Sequence, residues 1–203
     1  MPIEPYEMPE EIEIEKVLTA FKKYSNYDFS DYSDKSFARR VEKILVDHGL
    51  SIDLLVNRMA SNPQFLEQVV REITVNTTEL FRDIDFWQAI KYRILPKLKR
   101  QDCIRIWHAG CSTGQEVYSM AIILHELGLS EKTYLLASDI NTDVIQRAKN
   151  GIYQYRFNRD YLDNFDKVMR YNPYNYEEVF NIPDEKYFTI NQSTDTLSLH
   201  KFL

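Results

Sequence analysis

Ile104-Arg105-Ile106-Trp107-His108-Ala109-Gly110-Cys111-Ser112-Thr113-Gly114-Gln115-Glu116 is the stretch around which the rest of the chain is organised. Ile104 and Ile106 place β-branched residues at alternate positions, which predicts a short strand. Gly110 and Gly114 then bound a turn of small residues. From Gln115 the period becomes helical, with Val117, Met120, Ala121, Leu124 and Leu127 at three- and four-residue steps. A strand running through a glycine turn into a helix is the first half of a nucleotide-binding βαβ unit. Glycine admits close backbone approach to a ligand, and the helix start offers unpaired N–H groups beside it.

Working outward, the chain after Gly128 predicts a second strand over 133–138 that ends on Asp139. A right-handed crossover makes this strand parallel to the first. An acid at that strand end is placed to accept hydrogen bonds from ribose hydroxyls. Asn141 or Thr142 caps a helix over 143–149, closed by Gly151. Residues 152–184 read as irregular, with one helix around 161–169. Residues 186–190 and 196–201 form a hairpin about 191–195. A doubly wound domain has about five or six strands, so two parallel strands and a hairpin suggest a domain cut short. A sheet so truncated leaves an exposed edge, across which dimerisation is an option.

On the N-terminal side the period is helical throughout. Ile14, Val17, Leu18 and Phe21 share a face over 13–24. Phe37, Val41, Ile44 and Leu45 line a helix over 35–48, with Asp34 as its N-cap and Gly49 as its stop. Ser51 caps a helix carrying Leu54, Leu55 and Met59. Pro63 opens another with Phe65, Leu66, Val69, Val70 and Ile73. The outer face of the second helix holds Lys35, Arg39, Arg40 and Lys43, a pattern that also describes any solvated face. Residues 76–85 then read as a hinge, and Phe86, Trp87, Ile90, Ile94 and Leu95 as one face of a linker helix ending at Pro96.

With 203 residues, 44% of them hydrophobic, the chain can build one large or two small cores. A net charge of −6 argues against general attraction to nucleic acid. Two cysteines, Cys103 and Cys111, are no disulfide framework and suit a reducing cytoplasm. Residues 1–15 are acidic and broken by Pro2, Pro5 and Pro9, unlike a signal or transit peptide. No apolar run approaches the roughly 18 residues of a membrane helix.

The turn at 110–114 is neither G-x-G-x-x-G nor a Walker A loop, which carries Lys after its second glycine. Glu116 and Asp139 repel a pyrophosphate but suit a cation that carries a ribose. S-adenosylmethionine meets that description; the competing reading is a purely structural α/β turn. His48, His108, His125 and His200 lack metal-site spacing, so no metal is expected. His108 sits where it could touch a ligand or act as a satisfied structural histidine. Cys111 has no evident base to make it a nucleophile.

Three separated blocks resemble one family. Asn76-Thr77-Thr78-Glu79-Leu80-Phe81-Arg82-Asp83, then 106–119, then Ala137-Ser138-Asp139-Ile140-Asn141-Thr142 with 148–153, resemble the CheR-type chemotaxis receptor methyltransferases in order and spacing. Asp28-Phe29-Ser30-Asp31-Tyr32, Arg39-Arg40 and the following helices resemble that family's N-terminal domain. The resemblance implies an α/β protein with an all-helical domain (1–75), a linker (76–85) and a truncated Rossmann-like S-adenosylmethionine-dependent methyltransferase domain (86–203). It implies a cytoplasmic enzyme that methylates glutamate side chains of chemoreceptor cytoplasmic helices, with S-adenosylhomocysteine as product. Cofactor contacts would fall on Asn76, Thr78, Arg82, Glu116 and Asp139, with Gly110 and its turn against the methionine part. Arg82 would hold the substrate carboxylate, and Lys35, Arg39, Arg40 and Lys43 would dock an acidic helix bundle.

Departures are visible. Gln115 and Val117 replace the family's glutamate and proline, although Glu116 keeps the contact position. The Asn-Leu and Cys-Arg-Asn segments that the family carries later do not occur before Leu203. The expectation is weak or absent catalysis by the chain as it stands. The alternative reading is a non-catalytic binding module with a degenerate methyltransferase lobe.

Overall fold

The computed structural model describes residues 11–74 and 76–201, without the side chains of 11–12 and 157–161. The chain forms two compact units, Met1–Val75 and Asn76–Leu203. The first contains four helices among the described residues: α1 (Glu11–Tyr24), α2 (Asp34–His48), α3 (Ile52–Ser61) and α4 (Pro63–Ile73). Its core is apolar, with Val17, Phe21, Phe37, Val41, Ile44, Leu55, Met59, Val69 and Ile73 almost fully enclosed. Phe21, Phe29, Tyr32 and Phe37 meet edge-on or tilted at 4.8–6.4 Å, the geometry that aromatic quadrupoles favour.

The helix ends follow local chemistry. Gly49 ends α2 in the left-handed conformation. The Ser51 hydroxyl accepts from the Leu54 N–H, and the Asn62 side chain accepts from the Phe65 N–H ahead of Pro63. Two expectations fail here. Asp34 is the first helical residue, and Ser33 stands in the cap position without a side-chain bond. Leu54 is exposed, while Ile52 faces the core in its place. Ile52, Leu55 and Met59 follow the helical repeat, and Leu54 falls off that stripe.

The second unit opens on residues 76–85. These do not form a linker outside the core: Leu80 and Phe81 are fully enclosed within it. A kinked helical segment follows, α5 (Ile84–Ala89), a π-helical turn (Ile90–Ile94) and α6 (Leu95–Leu98). The helix passes through Pro96 because the proline lies in the first turn of α6, where its missing N–H costs nothing. The π turn shifts the register. Trp87, Lys91 and Leu95 are buried, whereas Phe86, ahead of the π turn, and Ile94, within it, both expected inside, are exposed.

β1 (Ile104–Ala109) pairs in parallel with β2 (Thr133–Ser138), from Ile104 opposite Thr133 to Ala109 opposite Ser138. Helix α7 (Gln115–Glu126) links them, and α8 (Thr142–Asn150) follows β2. Ile122, Ile123 and Leu124 of α7 are buried, whereas Val117 and Ala121 line a shallow apolar groove of about 320 Å3. On the opposite sheet face Trp107, Tyr134 and Leu136 are exposed. The two strands thus form a small parallel sheet joined through α7.

The segment expected as irregular is largely ordered. β3 (Ile152–Gln154) and α9 (Tyr155–Met169) fill its first half. β4 (Phe188–Asn191) and β5 (Thr196–Leu199) form the expected hairpin, and β3 joins it to give an antiparallel sheet of order β3-β5-β4. Tyr187 ties this small sheet to α7: its hydroxyl meets Glu126 and His125, and Lys186 pairs with Glu126. Among the described residues no helix is long and apolar enough to cross a membrane.

Candidate functional site

The glycine turn is built by hydrogen bonds from its own backbone. The N–H groups of Gly110 and Cys111 both donate to the Ser138 carbonyl, at 2.8 and 2.9 Å. The end of β1 is thereby clamped to the end of β2. Ser112 adopts φ 50° and donates its N–H to Asp139 Oδ2 at 2.8 Å. Asp139 Oδ1 accepts the Asn141 N–H at 2.8 Å, and the Asn141 side chain accepts the Asp143 N–H to cap α8. Asn141, not Thr142, is therefore the cap.

Gly114 starts α7 with φ 92°, and a Cβ there would lie 2.7 Å from the Ala148 Cβ. Glycine is required at this position for space as well as for backbone angle. The Tyr153 hydroxyl donates to the Thr113 carbonyl at 2.7 Å, which fixes the small sheet to the same turn.

Asp139 is half-buried and carries two backbone donors, yet an ionised carboxylate has about four lone-pair sites. It retains acceptor capacity toward a ligand. Glu116, in the first turn of α7, is exposed, and its Oε1 lies 2.7 Å from His108 Nδ1. The His108 ring is buried, and its Nε2 has no partner among the described residues. The Ser112 hydroxyl is likewise buried and unpartnered. The Cys111 thiol is pushed up by burial and by the charge of Asp139, which makes it an inert small side chain.

Asn76 and Thr78 come to a second place. With Thr113, Gln115, Arg147 and Tyr153 they line an open cavity of about 640 Å3. Gly110, Glu116, Asp139 and Arg82 are not among the residues that line it. The two groups adjoin through the turn itself: Thr113 and Gln115 face the cavity, while Ser112 and Glu116 serve the strand ends. Thr113 donates its hydroxyl to Gln115 Oε1 at 2.6 Å, so the residue that replaces the family glutamate stabilises the turn. Arg147 and Tyr153 went unnoticed in the sequence because they belong to elements with other evident roles.

Arg82 is exposed between Phe81 and Asp83, which both have positive φ, 53° and 59°. Such strain in non-glycine residues persists only where surroundings enforce it. Here the Phe81 ring is buried against Trp87 and Phe165. Its N–H donates to the Ser119 hydroxyl at 2.8 Å, and that hydroxyl donates to the Gln115 carbonyl. The turn pulls Phe81 inward and turns Arg82 out.

In the helical unit Lys35, Arg39 and Lys43 are exposed on α2, and Lys43 pairs with Asp47. Arg40 departs from the expected outer face: it is half-buried, with its Nε enclosed and unpartnered. No group of three or more metal-ligating side chains occurs among the described residues.

The comparisons with known proteins agree with this layout. The CheR methyltransferase all-alpha domain matches residues 12–74, and the CheR methyltransferase SAM-binding domain, the family's S-adenosylmethionine site, matches residues 76–170. A Pseudomonas putida protein named "Putative methyltransferase Cher3" is 41% identical over 157 residues, 76% of this chain and 57% of that protein. A "Chemotaxis protein methyltransferase" of Listeria monocytogenes is 28% identical over 64% of this chain and 50% of its own length. "Chemotaxis protein methyltransferase 1" of Pseudomonas aeruginosa is 34% identical over 56% of this chain and 46% of its own. The chain thus spans little more than half the length of the curated relatives it matches. Helical domain, glycine turn and strand-end acid all coincide with the matched segments, and the chain belongs to the CheR methyltransferase family.

Proposed function

We propose that the protein is a cytoplasmic S-adenosylmethionine-dependent methyltransferase that esterifies glutamate side chains on chemoreceptor cytoplasmic helices. The observation that carries this reading is the pair of acids beside a glycine turn without a lysine, Asp139 at the end of β2 and Glu116 in the first turn of α7. Acids there suit a cationic nucleoside and oppose a polyphosphate. The buried, unpartnered Ser112 hydroxyl at the same turn fits a site whose hydrogen bonds are completed by a ligand.

When bound, S-adenosylmethionine supplies a methyl group activated by its sulfonium. The residues of the chain do the rest. The N–H groups of Ser112 and Asn141 fix the Asp139 carboxylate in place, ready to accept from a pair of ribose hydroxyls. Glu116 presents a negative charge to the cationic part of the ligand. Arg82, held outward by its strained turn, binds and orients the substrate carboxylate as a charge-assisted pair. A glutamate is already ionised near neutral pH, so no general base is needed. Catalysis then consists of positioning and exclusion of water. Lys35, Arg39 and Lys43, with Arg40 partly beneath them, offer positive charge to an acidic receptor helix bundle. Asn76 and Thr78 would hold the ligand from the cavity side of the turn.

The test uses the protein encoded by the complete reading frame. Incubated with methyl-labelled S-adenosylmethionine and a receptor cytoplasmic fragment, it is expected to yield base-labile label on glutamate. Absence of such label from a folded protein with a competent receptor would refute the substrate. In calorimetry, Asp139→Ala is expected to weaken S-adenosylmethionine binding by about 1–3 kcal/mol through loss of a charged hydrogen bond. Unchanged affinity would remove the ribose assignment.

A further inference from the structure

We infer that His108 is a positioning residue for Glu116: its imidazole, donating from Nδ1, holds the Glu116 carboxylate toward the cationic part of the bound ligand. The inference rests on the ligand reading given above.

The geometry assigns the proton. Glu116 Oε1 is 2.7 Å from His108 Nδ1, and an ionised carboxylate only accepts, so Nδ1 carries the hydrogen. The ring is 6% exposed and its Nε2 is enclosed without a partner. Donation from Nδ1 leaves a lone pair, and not an unpaired N–H, at that enclosed place. The Nδ1–H tautomer is thus the form that the surroundings accept.

The two residues differ in mobility. The His108 ring is fixed at the end of β1, in register with Ala137 of β2. The Glu116 side chain is 56% exposed and, unanchored, would sample many rotamers. The bond to His108 engages Oε1 and leaves Oε2 for a ligand. A ligand that meets a pre-set carboxylate forfeits less conformational freedom on binding. This gives a role to the buried histidine that neither packing nor its own hydrogen-bond satisfaction explains.

A double-mutant cycle read by calorimetry with S-adenosylmethionine tests the assignment. His108→Ala is expected to weaken binding about tenfold. His108→Asn, whose side-chain amide can donate from nearly the Nδ1 position, is expected to restore most of the affinity. In a Glu116→Ala background, His108→Ala is expected to cost nothing further. An equal loss in both backgrounds would overturn the proposal, because a merely structural histidine acts independently of Glu116. A second measurement needs no ligand. Long-range proton–nitrogen spectra of the free protein are expected to show Nδ1 protonated, with its signal displaced by Glu116→Ala. An Nε2–H tautomer with a bare Nδ1, or an unaffected signal, would overturn it. Failure of the wild type to bind S-adenosylmethionine would instead refute the ligand reading while these spectra still decide the pair.

Discussion

The two units bury different chemistry. Among the described residues of the helical unit the enclosed ones are apolar, with only the Nε of the half-buried Arg40 enclosed beside them, whereas Lys91, His108, Ser112, Gln115, Ser119, Asn141 and Asn172, all enclosed, lie in the α/β unit. A buried polar group costs free energy unless it is paired, so each one marks a place where some constraint other than packing operates. Most of the seven serve the turn at 110–116 or the segments that abut it. Ser119 holds Phe81, Asn141 bonds Asp139 and caps α8, and Gln115 braces Thr113. The helical unit is a self-sufficient apolar core with charge on its surface. The α/β unit spends part of its interior on orienting groups.

The largest effect that can sharpen this contrast concerns Phe81. Its ring is fully enclosed against Trp87 and Phe165 although the surrounding segment reads in sequence as a hinge. Phe81→Ala is expected to destabilise the α/β unit by about 3–5 kcal/mol in denaturant unfolding. A change below about 0.5 kcal/mol, the usual size for a surface position, would return residues 76–85 to linker status.

Lys91 comes next. Its ammonium donates to the Val168 and Met169 carbonyls at 3.1 and 2.7 Å, at the C-terminal end of α9. Burial lowers its pKa from 10.5 to about 8, against a smaller upward pull from Glu126. Below pH 8 the lysine is protonated in both states, and the folded state carries the full cost of burying the charge. Between 8 and 10.5 the unfolded chain binds a proton that the folded chain has released, so stability rises with pH through that window. Urea unfolding of wild type and Lys91→Met across the window is expected to shift in favour of wild type by up to about 3 kcal/mol. A difference that is flat with pH would mean that the charge is not buried in solution as in the structure, and the contrast between the units would weaken.

The same contrast explains what could be read in advance. In α2 and α4 the predicted stripes are the buried residues, because a helix packed on one side leaves a single period to detect. In α7 the predicted stripe holds in part: Met120 and Leu124 are buried, but so are Ile122 and Ile123, and Val117 and Ala121 are not fully so. A helix enclosed on several sides has no clean period. Ile94 falls in the π turn, which adds a residue without any mark in the sequence, and Phe86 stands one position off the inward place that Trp87 takes in α5. β3 is too short to show alternation and exists through its pairing with β5. At the site, Gly110, Gly114 and Asp139 were legible because backbone angle and strand-end position constrain them. The bond between His108 and Glu116 was not, since it depends on where a strand end and a helix start meet in space. Nor was the wall that Arg147 and Tyr153 contribute to the cavity beside Asn76 and Thr78.

The smallest effect tests the other side of the comparison, that polar groups of the helical unit act locally at helix ends. Asn62 accepts the Phe65 N–H at 3.0 Å and precedes Pro63, whose missing N–H leaves one fewer donor to satisfy. Asn62→Ala is expected to cost about 1 kcal/mol, and Asn62→Gly only a few tenths, because glycine lets water reach the freed N–H. Asn62→Asp retains the acceptor and adds a charge favourable to the helix dipole, so it is expected to be neutral or slightly stabilising. Denaturant midpoints of the three variants at constant slope decide the matter. If neither alanine nor glycine costs anything, the side-chain bond contributes nothing. A loss well beyond 1 kcal/mol would mean that this cap, like the buried polar groups of the α/β unit, supports more than the helix it begins.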